Sequence, residues 1–81
     1  MNFTREQIIN TPEYMNAIAD GYKIFTEFND WFMLFSVRKV IKGNRIDYPA
    51  FNHQQIRTLP EFNYHLKRAI SEIQKYNLTN S

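Results

Sequence analysis

Cysteine is absent from the 81-residue chain, and glycine and proline are scarce, with two and three copies. Without cysteine, the chain can form no disulfide, thiolate zinc site or thiol nucleophile, which favours a reducing cytoplasm. No stretch rich in Gly or Ser separates two segments, and a second domain would leave neither half enough residues for a core. We therefore predict one domain over residues 1–81, with residues 76–81 frayed.

Long apolar runs are also missing. The most apolar stretch, residues 31–35, is far shorter than the roughly 20 residues that a membrane-spanning helix needs. Residues 1–6 have neither the basic segment nor the apolar core of a secretory signal. We expect no membrane insertion and a cytoplasmic location.

Residue types that typically carry catalysis are few and scattered. His53 and His65 lie twelve positions apart, which does not suit a metal pair on one helical turn. None of the serines has the glycine-flanked setting of a catalytic nucleophile, and Gly43 is not part of a phosphate-binding loop. We expect no enzymatic activity, no metal and no cofactor, with His53 on the surface and His65 partly buried and hydrogen-bonded.

Helix signals dominate the pattern. Thr4 and Gln7 fit a capping box for a short helix through Ile9, and Thr11-Pro12 fits the start of a second helix. Apolar residues then recur at helical spacing, so one long central helix is predicted over residues 12–42. The apolar residues of this stripe are Tyr14, Ile18, Tyr22, Phe25, Phe28, Phe32 and Phe35.

Two alternatives to the continuous helix remain open. Asp30 is a suitable N-cap, so the helix can break at Asn29-Asp30. Residues 31–41 can instead form a strand, because aromatic and β-branched residues favour sheets, although polar residues do not alternate there. In the helical interpretation, basic residues and then Gly43 end the helix.

The last third of the chain contains the best amphipathic pattern. Residues 45–51 read as an extended connection, and Asn52 can cap a short helix through Arg57. A longer helix then follows Thr58, with apolar residues at Leu59, Phe62, Leu66, Ala69, Ile73 and Tyr76. The predicted fold class is all-α: a small compact helical domain of three to four helices with a long central helix and an amphipathic C-terminal helix.

Aromatic residues make up 16% of the chain, more than a domain of this size can easily enclose. Five large apolar residues in a row at 31–35 would surround a helix, so they indicate either a buried central helix or a contact with another chain. We predict that the chain is a protein-binding regulator and forms a homodimer. The predicted interaction residues are Trp31, Phe32, Phe35, Arg38, Lys39, Lys42 and Arg45.

Charge is unevenly distributed along the chain. Residues 1–30 carry two basic and five acidic side chains, a net charge of −3, whereas residues 31–81 carry eight basic and three acidic ones, a net charge of +5. This asymmetry can attract an acidic partner or neutralise itself within a dimer. A small nucleic-acid-binding or transcription-modulating factor is therefore the alternative function, although few cations are available for phosphate contacts.

The chain as a whole resembles the small accessory proteins of T-even-like bacteriophages. The resemblance rests on short length, lack of cysteine, the aromatic segment at residues 28–35 and the Asn-rich end at residues 77–81. Within that group it is similar to the cytoplasmic lysis-inhibition accessory proteins, or second antiholins. The resemblance implies binding to the cytoplasmic part of a holin in the host cytoplasm and delayed lysis. The group also includes inhibitors of host transcription and of host defence proteins, and no motif assigns a role to any residue.

Overall fold

The chain has a mixed α/β fold in a computed structural model, which describes the backbone of residues 3–79 and the side chains of residues 3–76. The all-α prediction is therefore wrong, because residues 12–42 form one short helix and two strands rather than a long central helix. The elements are, in order, α1 (Arg5–Ile9), α2 (Pro12–Ala19), β1 (Lys23–Phe28), β2 (Met33–Ile41), β3 (Asn44–Tyr48), β4 (Gln54–Ile56) and α3 (Leu59–Thr79).

The four strands form one antiparallel sheet with β2 at its centre. β1 pairs with β2 along one side, from Lys23 opposite Arg38 to Phe28 opposite Met33. On the other side, β3 pairs with the second half of β2 and β4 with the first half. Among the described residues, the outer edge of β1 therefore pairs with no strand.

The central position of β2 explains the apolar run that suggested a helix. Met33, Phe35 and Val37 are buried on one face of the sheet, whereas Leu34 and Ser36 on the other face are half-buried. A strand with apolar residues on both faces reads as a continuous apolar run, and periodicity alone does not distinguish such a run from a helix. The strand alternative for residues 31–41 is thus close to the observed range of β2.

The turn between β2 and β3 is the clearest local cause of the hairpin. Lys42 and Gly43 both have positive φ, at 53° and 81°, as in the two-residue turns whose twist matches that of antiparallel strands. Ile41 pairs with Asn44 across this turn. Gly43 was predicted to end a helix, but the same left-handed backbone serves a helix end and a tight hairpin.

The first two helices begin where the sequence predicts. The Thr4 hydroxyl accepts a hydrogen bond from the Gln7 N–H, and the Gln7 side chain accepts one from the Thr4 N–H at 2.8 Å. Thr11 caps α2, with Pro12 at its first position. Gly21, at φ 92°, lies in the turn that leads into β1, rather than in a helix interior.

The last helix, α3, also follows its prediction and packs against the sheet by one face. The Thr58 hydroxyl accepts a hydrogen bond from the Glu61 N–H at 3.2 Å. The rings of Phe35 and Phe62 meet edge to face, with centroids 5.4 Å apart. The buried core comprises Phe3, Ile8, Ala17, Tyr22, Met33, Phe35, Val37, Ile56, Phe62, Leu66, Ala69 and Ile73.

The segment between the hairpin and α3 differs from its prediction. Residues 44–48 form a strand of the sheet, where an extended connection over residues 45–51 was predicted, and the Tyr48–Pro49 peptide bond is cis. Asn52 caps no helix, because residues 54–56 form β4. Pairing with β2 supplies the backbone hydrogen bonds of this segment, and such tertiary context outweighs a weak local helix signal. At the C-terminus, α3 runs to Thr79, while the end of the frayed segment predicted at 76–81, residues 80–81, lies outside the described residues.

Candidate protein-interaction surface

The helices cover only one of the two faces of the sheet. The packing of α2 and α3 buries Met33, Phe35 and Val37 on that face. On the opposite face, Phe25 and Val40 are 44% and 61% exposed. We call this opposite face the open face; strand pairing places on it Lys23, Phe25, Glu27, Leu34, Ser36, Arg38, Val40, Arg45, Asp47 and Gln55.

One row of side chains crosses the open face at its middle. Phe25 of β1 lies opposite Ser36 of β2. His53 lies one residue before β4, next to the paired residues Gln54 and Phe35, so the same register brings it beside Ser36. The small serine leaves the rings of Phe25 and His53 free to stack above it, with centroids 4.8 Å apart and planes 26° from parallel.

The charged groups of the open face lie mainly at one end of it. Asp47 accepts a hydrogen bond from Arg38 Nε at 2.9 Å and forms an ion pair with Arg45 Nε at 3.4 Å. Lys23 lies opposite Arg38 in the neighbouring strand. With Glu27, the face carries three cations and two carboxylates, so its net charge is only +1.

The β1–β2 turn displays a large apolar side chain to solvent. The Asn29 side-chain oxygen accepts hydrogen bonds from the N–H groups of Trp31 and Phe32, each at 2.8 Å. These bonds hold the turn while leaving Trp31 75% exposed. Phe51, in the connection before His53, is 90% exposed. Both rings can therefore contact another molecule.

Four of the predicted interaction residues are exposed to solvent, and all but Lys42 lie on the open face or in the turn beside it. Arg38 and Arg45 share Asp47 on the open face, and Trp31 lies in the β1–β2 turn. These residues were grouped because they were predicted to lie on or just after one long helix over residues 12–42, which the structure replaces with α2, β1 and β2. Strand pairing, rather than a helical turn, brings the two arginines together.

The other predicted interaction residues lie elsewhere. Phe35 is fully buried under α3, so a folded monomer does not expose it. Phe32 is half-buried, with the Arg57 guanidinium 5.9 Å from its ring centre. Lys42 is in the β2–β3 turn. Lys39 lies on the helix-covered side, beside Tyr22.

Lys39 covers a buried tyrosine on the helix-covered side. Its Nζ atom lies 4.4 Å from the centre of the Tyr22 ring. Burial raises the pKa of the Tyr22 hydroxyl above its ordinary value of 10.0, and the charge of Asp20 raises it further, while a hydrogen bond with Gln74 acts in the opposite direction. A cation over an aromatic face stabilises local packing, so this contact gives Lys39 a structural role.

Sequence reasoning did not place Phe25, Val40 and His53 together on one face of a sheet. Phe25 and Val40 were assigned to a central helix, and His53 was expected on the surface without a role. The residue types at 23–28 gave no clear signal, because polar and apolar residues do not alternate there. The alternation appears only in the burial of β1. His65 is half-buried as expected, but its Nδ1 atom has no hydrogen-bond partner among the described residues.

The described residues contain neither a candidate metal site nor a membrane-spanning helix. No cluster of three His, Asp or Glu side chains in this part of the chain is arranged to hold a metal ion. No helix within it has both the length and the apolar character needed to cross a bilayer.

Comparisons with known proteins identify no relative of this chain. No family model matches the chain, and neither the curated proteins nor the solved structures give a significant match.

Proposed function

We propose that the chain is a non-enzymatic, protein-binding regulator that contacts its partner through the open face. The observation that carries this proposal is the exposure of Phe25 and Val40 on a sheet face that no described helix covers. Exposed apolar groups surrounded by polar ones are typical of protein contact sites. Without a partner, these two side chains leave apolar area in water, which does not stabilise the fold.

The chemistry of the face favours a partner that offers apolar side chains and, near one end, carboxylates. Phe25 and Val40 supply apolar contacts, and Lys23 lies at the end where Arg38 and Arg45 meet Asp47. Charges at the rim of an interface contribute mainly to specificity and to the association rate. The apolar contacts of Phe25 and Val40 are therefore expected to supply most of the affinity.

The resemblance to phage lysis-inhibition proteins supports a holin as the partner. On this proposal, the chain acts in the host cytoplasm, binds the cytoplasmic part of a holin and delays membrane lesion formation. It also associates with itself, as the excess of aromatic residues predicts. Trp31 at the β1–β2 turn supplies an additional contact beside the open face.

Co-expression with a T-even-like phage holin in bacteria tests this proposal. The parent chain should lengthen the time to lysis, and the purified chain should bind the holin's cytoplasmic segment. Val40→Glu removes an exposed apolar side chain and places a carboxylate opposite Arg45, at the end that the partner's carboxylates are expected to contact. It should weaken binding by roughly tenfold, through lost apolar contact and like-charge repulsion.

Ile18→Glu is the matched control. Ile18 lies on α2 in the helix layer and is 45% exposed, so the same charge there should leave binding and lysis time unchanged. Equal effects of the two substitutions, with both variants folded, would reject the open face as the contact. No effect of the parent chain on lysis and no binding to the segment would reject the holin as partner.

Binding of single-stranded nucleic acid is the second candidate, favoured by the stacked rings of Phe25 and His53 beside Lys23. Open sheet faces with aromatic rings and cations are used in this way, because bases stack on the rings. Against this, Asp47 pairs with both arginines of the face. Few free cations remain to hold phosphates, so the protein partner is preferred.

Fluorescence anisotropy with a labelled single-stranded oligonucleotide separates the two candidates. We expect weak binding that disappears at physiological salt. Submicromolar binding that persists at that salt and is lost in Phe25→Ala would favour the nucleic-acid function instead.

A further inference from the structure

The outer edge of β1 offers unpaired backbone groups in a defined pattern. The Asn29 N–H donates to the Phe32 carbonyl oxygen at 3.0 Å, which fixes the alternation of hydrogen bonds along the β1–β2 pair. Counting back from Asn29, the backbone groups of Lys23, Phe25 and Glu27 point toward β2. Those of Ile24, Thr26 and Phe28 point outward, where the described sheet has no further strand.

This edge is longer and more regular than the opposite one. All six residues of β1 pair with β2 without a bulge, and β1 contains no proline. The opposite edge is divided between β3 and the three-residue β4, with Pro49 between them. Bulges, prolines and short strands are among the usual protections against edge pairing. β1 has none of these three, although it carries the charged residues Lys23 and Glu27.

The side chains of β1 are complementary to themselves in one antiparallel register. If two copies pair about Phe25, Lys23 lies opposite Glu27 of the second copy, and Glu27 lies opposite the second copy's lysine. The outward backbone groups of Ile24 then face those of Thr26 in the second copy, which is the alternation that an antiparallel ladder requires. The pattern therefore satisfies both backbone hydrogen bonding and charge.

Neighbouring registers are less favourable. A twofold axis at Thr26 places Glu27 opposite Phe25, and an axis at Ile24 places Lys23 opposite Phe25, so neither forms an ion pair. In the register about Phe25, the charged pairs and the two phenylalanines lie at positions without direct hydrogen bonds, where opposing side chains are closest. Opposite charges and aromatic pairs both stabilise such positions.

We infer that a second copy of the chain binds at the edge of β1, in the antiparallel register about Phe25, and forms one eight-stranded sheet across two protomers. The interface is isologous, as expected of a twofold dimer. It joins the two open faces side by side and leaves both accessible. The inference identifies the surface of the self-association included in the proposed function, and it does not depend on the holin as partner.

Cysteine cross-linking tests this register, because the chain has no cysteine of its own. Phe25→Cys places two thiols across the axis, with Cα atoms about 4.5 Å apart, within the range of a disulfide. Ser36→Cys is the control on the neighbouring strand; its two copies lie three strand spacings apart, about 14 Å. Mild oxidation should link Phe25→Cys into a covalent dimer and leave Ser36→Cys monomeric in a denaturing gel.

Charge reversal gives a second test by sedimentation of the chain alone, without any holin. Lys23→Glu and Glu27→Lys should each raise the dimer dissociation constant roughly tenfold, since each replaces two attractive pairs by two repulsive ones. The double variant should return to within a few-fold of the parent value. Lys67→Glu makes the same charge change on the exposed side of α3 and should have no effect.

Three results would overturn the inference. The first is a parent chain that sediments as a monomer at all micromolar concentrations. The second is efficient cross-linking of Ser36→Cys, which would indicate packing of the open faces against each other. The third is a double charge variant that dimerises no better than either single variant. None of these results bears on holin binding, which the lysis experiment measures separately.

Discussion

The imidazole of His53 stacks on the ring of Phe25, although the two residues lie on opposite sides of the central strand β2. The contact crosses the open face above Ser36 and joins β1 to the start of β4. It holds Phe25 in place while leaving 44% of that residue exposed. An exposed but fixed aromatic ring loses little conformational freedom on binding a partner.

His53→Ala should lower the free energy of unfolding by about 0.5 to 1.5 kcal/mol, the usual contribution of an aromatic pair. Phe51→Ala removes a nearby ring that is 90% exposed and should have almost no effect. Urea denaturation of both variants beside the parent measures the difference. Equal midpoints for all three proteins would contradict a stabilising stack.

Leu66→Ala should destabilise the protein by about 2 to 5 kcal/mol, because it leaves a cavity in the core. Leu66 is fully buried between α3 and the sheet. Trp31→Ala is the contrast: 75% of this side chain is already exposed, so the midpoint of unfolding should hardly change. Thermal melts compare the two. A larger loss of stability in Trp31→Ala than in Leu66→Ala would reverse the assignment of core and surface.

Gly43→Ala should destabilise the β2–β3 hairpin by about 1 kcal/mol or more, because an L residue is strained at its φ of 81°. Apart from its two chain neighbours, no described residue has an atom within 4 Å of the position that the added Cβ would take, so overlap with the rest of the fold does not contribute. Asn44→Ala, one residue further, is the control without positive φ. Chemical denaturation measures both changes, and equal stability of Gly43→Ala and the parent would exclude this turn geometry.

Stability should fall at alkaline pH through Tyr22. Its pKa is raised in the folded state, chiefly by burial and also by Asp20, so the unfolded chain loses this proton at lower pH than the folded chain does. The resulting contribution is complete below pH 10.0 and is lost as pH rises through the higher folded-state pKa. Melting temperatures between about pH 8 and pH 11 should decline less steeply in Tyr22→Phe than in the parent. Parallel declines in the two proteins would refute a raised pKa.

Capping signals and one amphipathic stripe were readable from the sequence, because they depend on neighbouring residues. Thr4, Thr11 and Thr58 each accept the expected backbone hydrogen bond at a helix start. The stripe of α3 buries Phe62 and Leu66 as predicted. These features need no knowledge of the rest of the fold.

The sheet could not be predicted in the same way, because it depends on pairing between residues that are distant in the sequence. The segment from Trp31 to Ile41 has apolar residues on both faces, so the period of two that marks a strand is obscured. Gly43 is compatible with a helix end and with a hairpin. The stack of Phe25 on His53 joins residues 28 positions apart, and no local sequence pattern predicts such a contact.

The central claim, that the open face binds the partner, is tested most directly by NMR titration of the labelled chain with the holin's cytoplasmic segment. We predict that amide shifts concentrate on the strands around Phe25, Arg38 and Val40 and are small on α2, which carries the exposed side chains of Met15 and Ile18. Shifts concentrated on α2, with the strands unchanged, would contradict the claim.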